Sequence, residues 1–110
     1  MMNIKSAVEN LQWNAEHHYA HIEAKHDFIR AIAVQFELGY TDFRFIQTAL
    51  LSANMDDKYR AFTEAYEDFY QYESLFAMRG LEEYQMKYGD KLSDFRQAKD
   101  NLLKILETLI

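Results

Sequence analysis

Residues 56–88 read DDKYRAFTEAYEDFYQYESLFAMRGLEEYQMKY. In that run Tyr59, Phe62, Tyr66, Phe69 and Phe76 recur at steps of three, four and seven, which lines their rings along one face of an α-helix. The same spacing turns Glu64, Glu67, Asp68 and Gln71 toward solvent. Asp56 and Asp57 open the helix, where negative charge meets the positive end of the helix dipole, and Gly89 closes it after Tyr88. Gly80 is the interior interruption: the helix either continues through it or splits there.

The rest of the chain repeats this habit. Among 110 residues there is no proline, and the only glycines stand at 39, 80 and 89, so few positions can stop a helix. Ser6 with Glu9 has the form of a capping box, which starts a first helix near Ser6. Val8, Leu11, Ala15, Ile22, Ile29, Ile32 and Phe36 then follow helical steps as far as Gly39. That predicts one helix of about 32 residues, roughly 48 Å long. Thr41 and Asp42 suit the start of a short second helix carrying Phe43, Ile46 and Leu50 and ending near Asn54. Asp90 or Ser93 caps a last helix bearing Leu92, Phe95, Leu102, Leu106 and Leu109. The expectation is an all-α bundle of about four helices, long-short-long-short, filling residues 1–110 as a single domain. Thr41-Asp42-Phe43-Arg44 with Leu50-Leu51 recurs as Ser93-Asp94-Phe95-Arg96 with Leu102-Leu103, which suggests two duplicated helical hairpins.

Composition narrows the function classes. An apolar fraction of 49% and an aromatic fraction of 15% supply a core without disulfides or metal. Cysteine is absent, which removes thiol chemistry and suits a reducing compartment, so a cytoplasmic location is expected. The start MMNIKSAVENLQ lacks the pattern of an export signal, and no apolar run approaches a membrane span. A net charge of -6 disfavours nucleic acid and anionic membranes and favours a basic protein partner. A domain of this size has a diameter of roughly 34 Å, so helices near 48 Å predict a second subunit, a homodimer.

Four groups of residues are candidates for function. The stretch Glu64, Glu67, Asp68, Tyr70, Gln71 and Tyr72 holds carboxylates beside tyrosines and no basic residue between Ala61 and Met78, a composition suited to anchoring a basic partner surface. His18 and Glu73 interrupt the apolar stripes of the two long helices near their midpoints, where a polar side chain needs a partner, so they are expected to form a buried polar pair. His17 and His21 stand at i and i+4, a spacing that holds one metal ion. Glu23 and His26 form the Glu-x-x-His element that di-iron bundles use together with a second copy, of which this chain has none. The turn Leu38-Gly39-Tyr40-Thr41-Asp42 is similar to that of a helix-turn-helix, which would present Arg44, Gln47 and Thr48 to DNA.

No glycine-rich phosphate loop or nucleophile elbow is present in the sequence, and no cofactor is expected. The reading is a non-enzymatic protein-protein interaction module, of the kind common among small acidic inhibitors, antitoxins, immunity proteins and phage accessory proteins. The alternative is a metal-binding bundle using His17, His21, Glu23 and His26; the third reading is a DNA binder.

Overall fold

The computed structural model describes residues 3–26 and 30–110, the side chains of residues 30 and 31 excepted. It forms a bundle of four helices, α1 (Lys5–Glu23), α2 (Arg30–Ser52), α3 (Asp56–Tyr88) and α4 (Leu92–Glu107), with no strand among the described residues. Each helix packs on its neighbours in sequence, α4 returns to α1, and α1 touches α3 across the middle. No helix among the described residues is long and apolar enough to cross a membrane.

The first helix is shorter than its apolar spacing implied. It ends at Glu23, and Lys25 adopts the left-handed conformation at φ 59°. The His26 amide donates to the His21 carbonyl and the Lys25 amide to the Ile22 carbonyl, both at 3.0 Å. This crossed pair is the Schellman ending of a helix. The same ending closes α2, where Asn54 sits at φ 57° and the Met55 amide reaches the Leu50 carbonyl at 2.9 Å. Ile29 of the expected stripe lies outside the described residues.

Gly39 does not end a helix; it lies inside α2. A Cβ there would come within 3.3 Å of the Asn14 amide nitrogen, so its smallness lets α1 and α2 approach closely. Thr41 is likewise interior, its hydroxyl donating to the Glu37 carbonyl at 3.2 Å. The short helix expected from Thr41 is therefore the second half of α2. The Ser6–Glu9 capping box does not form either: Ile4 precedes α1 with no side-chain cap, and the Asn3 carboxamide oxygen accepts from the Lys5 amide at 3.0 Å.

At the other glycine of interest the chain splits. Gly80 has φ 90° and ψ 177°, a conformation essentially confined to glycine. Beyond it residues 81–88 fold back, so that the Tyr84 ring lies 6.3 Å from Phe76 and the Tyr88 ring 4.7 Å from Tyr72. On a straight helix residues 72 and 88 would stand about 24 Å apart. With both long helices broken, the molecule measures 41 × 25 × 17 Å with a radius of gyration of 13.9 Å. The inference from projecting helices to a second subunit loses its premise.

The rings expected at the core are there, joined by others. Phe95 of α4 is fully buried and lies 5.1 Å from Tyr19, 5.2 Å from Phe69 and 5.0 Å from Tyr72, tying α1, α3 and α4 together. Between α2 and α3, Phe43 stacks on Tyr66 at 4.0 Å with Phe62 beside them. The sequence echo places its copies differently, Thr41 in mid-helix and Ser93 in the first turn of α4, so the two segments are not equivalent parts of duplicated hairpins.

Candidate functional site

On α3, Glu64, Glu67, Asp68 and Gln71 are all exposed, as a spacing of three and four residues requires. The Gln71 amide donates to the Asp68 carboxylate at 2.8 Å, which holds both on one strip. The two tyrosines do not join them on that strip. Tyr70 turns toward α2 and packs on Phe36 at 5.4 Å and Tyr40 at 6.0 Å. Tyr72 turns the other way and is buried against Tyr88 and Phe95. The pairing of Tyr70 and Tyr72 as anchors of one surface is corrected by their positions, which two residues along a helix sets about 200° apart.

Tyr72 nevertheless contributes to the acidic side. It lines an open groove between α3 and α4 together with Asp68, Asp94, Gln97, Ala98 and Asn101. Burial, then Asp68 and Asp94, push its hydroxyl above the ordinary tyrosine range, so it stays protonated beside the two carboxylates. Asp94, Gln97 and Asn101 were missed from sequence. Their spacing on α4 marks an exposed face, but nothing in the letters says that this face adjoins α3.

Inside the bundle, His18 and Glu73 meet. His18 is fully buried and Glu73 is 4% exposed, and His18 Nδ1 hydrogen-bonds the Glu73 carboxylate. The second ring nitrogen, Nε2, lies 3.3 Å from the Gln35 side-chain carboxamide oxygen, which can only accept, so Nε2 is the donor of that bond. Burial pushes the Glu73 carboxyl above its usual range, against the opposing pull of His18. Gln35 completes a three-member polar layer joining α1, α2 and α3.

The other histidines lie on the outer side of α1. His17 Nε2 and His21 Nε2 are 3.1 Å apart, and His21 Nδ1 is 3.0 Å from His26 Nδ1. Burial and the neighbouring histidines hold His17 and His21 below the ordinary imidazole range. Glu23 is not with them. Its carboxylate accepts from Arg96 at 3.0 Å and from the Tyr19 hydroxyl at 3.2 Å, while Arg96 Nε donates to that hydroxyl at 2.8 Å. The four-ligand set His17, His21, Glu23 and His26 is therefore not assembled, and among the described residues no three potential ligands converge on a metal position.

The helix-turn-helix reading also fails on geometry. Residues 38–42 lie within the continuous α2, so there is no turn to present a reading helix. Gln47, one of its would-be DNA contacts, is buried with its amide donating to Thr63 at 2.8 Å.

No protein-family model, curated protein or solved structure matches this chain.

Proposed function

We propose that this chain is a non-enzymatic protein-protein interaction module that docks the acidic face of α3, with the α3–α4 groove beside it, onto a basic surface of a larger protein. One observation carries the proposal. Glu64, Glu67 and Asp68 on α3 and Asp94 across the groove are exposed, Asp68 and Asp94 line the same α3–α4 groove, and the four take part in no ion pair among the described residues. Unneutralised like charges along one strip raise the local negative potential, which steers and holds a cationic partner. Tyr72 at the groove and the Gln71 amide add groups suited to the centre and rim of an interface. The histidine and carboxylate best suited to proton transfer, His18 and Glu73, are spent on each other beneath the surface, which favours binding over catalysis. A cytoplasmic inhibitor, antitoxin, immunity or phage accessory protein is the kind of role this implies.

The test is capture of partners from the native host by the full chain, compared with Glu67→Lys combined with Asp68→Lys. The proposal expects a basic protein held by the wild type and lost by the double reversal. A partner retained by both locates the interface elsewhere.

A second reading, a homodimer, is supported by a different face. Val34, Leu38 and Phe45 of α2 are 53%, 58% and 40% exposed, and Trp13 of α1 is 53% exposed, with Trp13 and Leu38 lining one groove. Light scattering tests it: a dimer reduced to monomer by Leu38→Lys supports self-association, and a monomer at every concentration refutes it.

A further inference from the structure

We propose that Nε2 of His17 and Nε2 of His21 form a two-imidazole chelate for one late first-row divalent ion, taken up as Cu(II) ahead of Ni(II) and Zn(II). The site lies on the outer side of α1 and does not depend on the acidic face of α3.

The argument begins with spacing. Residues four apart on a helix present their side chains side by side, and here the two Nε2 atoms stand 3.1 Å apart. Two nitrogens each bound about 2.0 Å from one ion are about 2.8 Å apart at a right angle and about 3.3 Å apart at the tetrahedral angle. The observed separation falls between those values, so a small ring rotation reaches either geometry. The rings meet nearly edge to face, at 84°, with centroids 4.5 Å apart, which brings the nitrogens together without stacking the rings.

The second requirement is a lone pair on the correct nitrogen. For His21 Nε2 to bind an ion, its proton must sit on Nδ1, and Nδ1 lies 3.0 Å from His26 Nδ1, which accepts it. A ligating histidine is commonly oriented through its other ring nitrogen in this way. His17 and His21 are also held below the usual imidazole range, so both are neutral near pH 7.

Among the described residues no third ligand converges on these two nitrogens. His18 is committed to Glu73 and Gln35, and Glu23 to Arg96 and Tyr19. The other coordination positions fall to water or to small exogenous ligands. With only two imidazoles, selectivity follows the intrinsic affinity order, in which Cu(II) ranks first.

Trp13 supplies the readout. It is the single tryptophan and stacks on His17 with centroids 4.4 Å apart and planes 16° apart, so a paramagnetic ion on that imidazole quenches its emission. The experiment titrates Cu(II) into the full chain, following Trp13 emission and, by electron paramagnetic resonance, the number of coupled nitrogens. The expected result is quenching complete at one ion per chain, with two imidazole nitrogens coupled. His21→Gln, which leaves the Trp13–His17 stack in place, is expected to abolish quenching at that ratio. His26→Ala is expected to weaken binding by about tenfold to a hundredfold, and Glu23→Gln to leave it unchanged. Circular dichroism confirms that each variant is folded, and the nitrogen count on the wild type stands without any variant. Absence of quenching at excess Cu(II), full quenching retained by folded His21→Gln, or loss on Glu23→Gln would each overturn the assignment.

Discussion

Replacing Glu73 by alanine is expected to be the most damaging single polar change in the molecule. Its carboxylate is the partner of His18 Nδ1, and the histidine is fully buried, so truncation leaves a buried nitrogen with nothing to bond. Breaking a buried pair by removing one member costs about 3–5 kcal/mol. The stability of a domain is only about 5–15 kcal/mol. With a urea dependence of about 1–3 kcal/mol per molar, the unfolding midpoint falls by roughly 2 M. Removing both members, as His18→Leu with Glu73→Leu, eliminates the two stranded polar groups at once. Gln35 then loses its partner too, but it lines an open groove and water replaces the bond. The double variant is therefore expected to be more stable than either single one, and close to the wild type. Urea unfolding followed by circular dichroism on the wild type, Glu73→Ala, His18→Leu, Glu73→Leu and the double leucine variant measures this directly. A cost under about 1 kcal/mol for Glu73→Ala, or a double variant no better than the worse single, would show that the buried layer does not hold the bundle in the way described.

Two substitutions test the breaks that shorten the long helices, because a continuous helix predicts the opposite sign. Lys25→Gly relieves a left-handed lysine and is expected to stabilise by about 1 kcal/mol; in an unbroken helix it would destabilise by a similar amount, and the shift of the urea midpoint decides. Gly80→Ala is expected to cost about 1–3 kcal/mol because φ 90° with ψ 177° strains any side chain, whereas a gain in melting temperature would mean that the helix runs straight. The depressed His17 and His21 bind protons more tightly when unfolded. Their contribution is thus complete above the unfolded value of 6.5 and is lost as pH falls through the folded values. Thermal melts between pH 7 and 5 are expected to lose less stability in the variant with both histidines replaced by glutamine; equal losses would remove these histidines from the pH response.

Much of the architecture was legible because helical periodicity is written in consecutive letters. The rings of Phe62, Tyr66, Phe69 and Phe76 lie in the core where their spacing put them, and His18 and Glu73 stood out as polar members of apolar stripes. The break after Glu23 was not legible, since it rests on a lysine in the left-handed conformation, a residue with no preference for it; the same ending at Asn54 uses a residue that tolerates it. Gly39 misled for a related reason. Glycine serves both helix ends and close helix contacts, and only the position of Asn14 opposite shows which use applies. The acidic residues of α3 were readable as one exposed strip, while the opposite turns taken by Tyr70 and Tyr72 follow from their spacing of two. Asp94 and its groove depend on which helices become neighbours, and that information is in the packing.

The direct test of the interaction surface is the affinity of a captured partner for three forms of the chain, measured by titration calorimetry at two salt concentrations. The forms are the wild type, Glu67→Lys with Asp68→Lys, and Glu82→Lys with Glu83→Lys, which makes the same charge change at exposed positions beyond the Gly80 break. An acidic docking face predicts that the first pair weakens binding by about tenfold or more, about 1.4 kcal/mol, and flattens the salt dependence, while the second pair leaves binding near the wild-type value. Equal affinities for all three forms, or equal losses for both charge reversals, would contradict it.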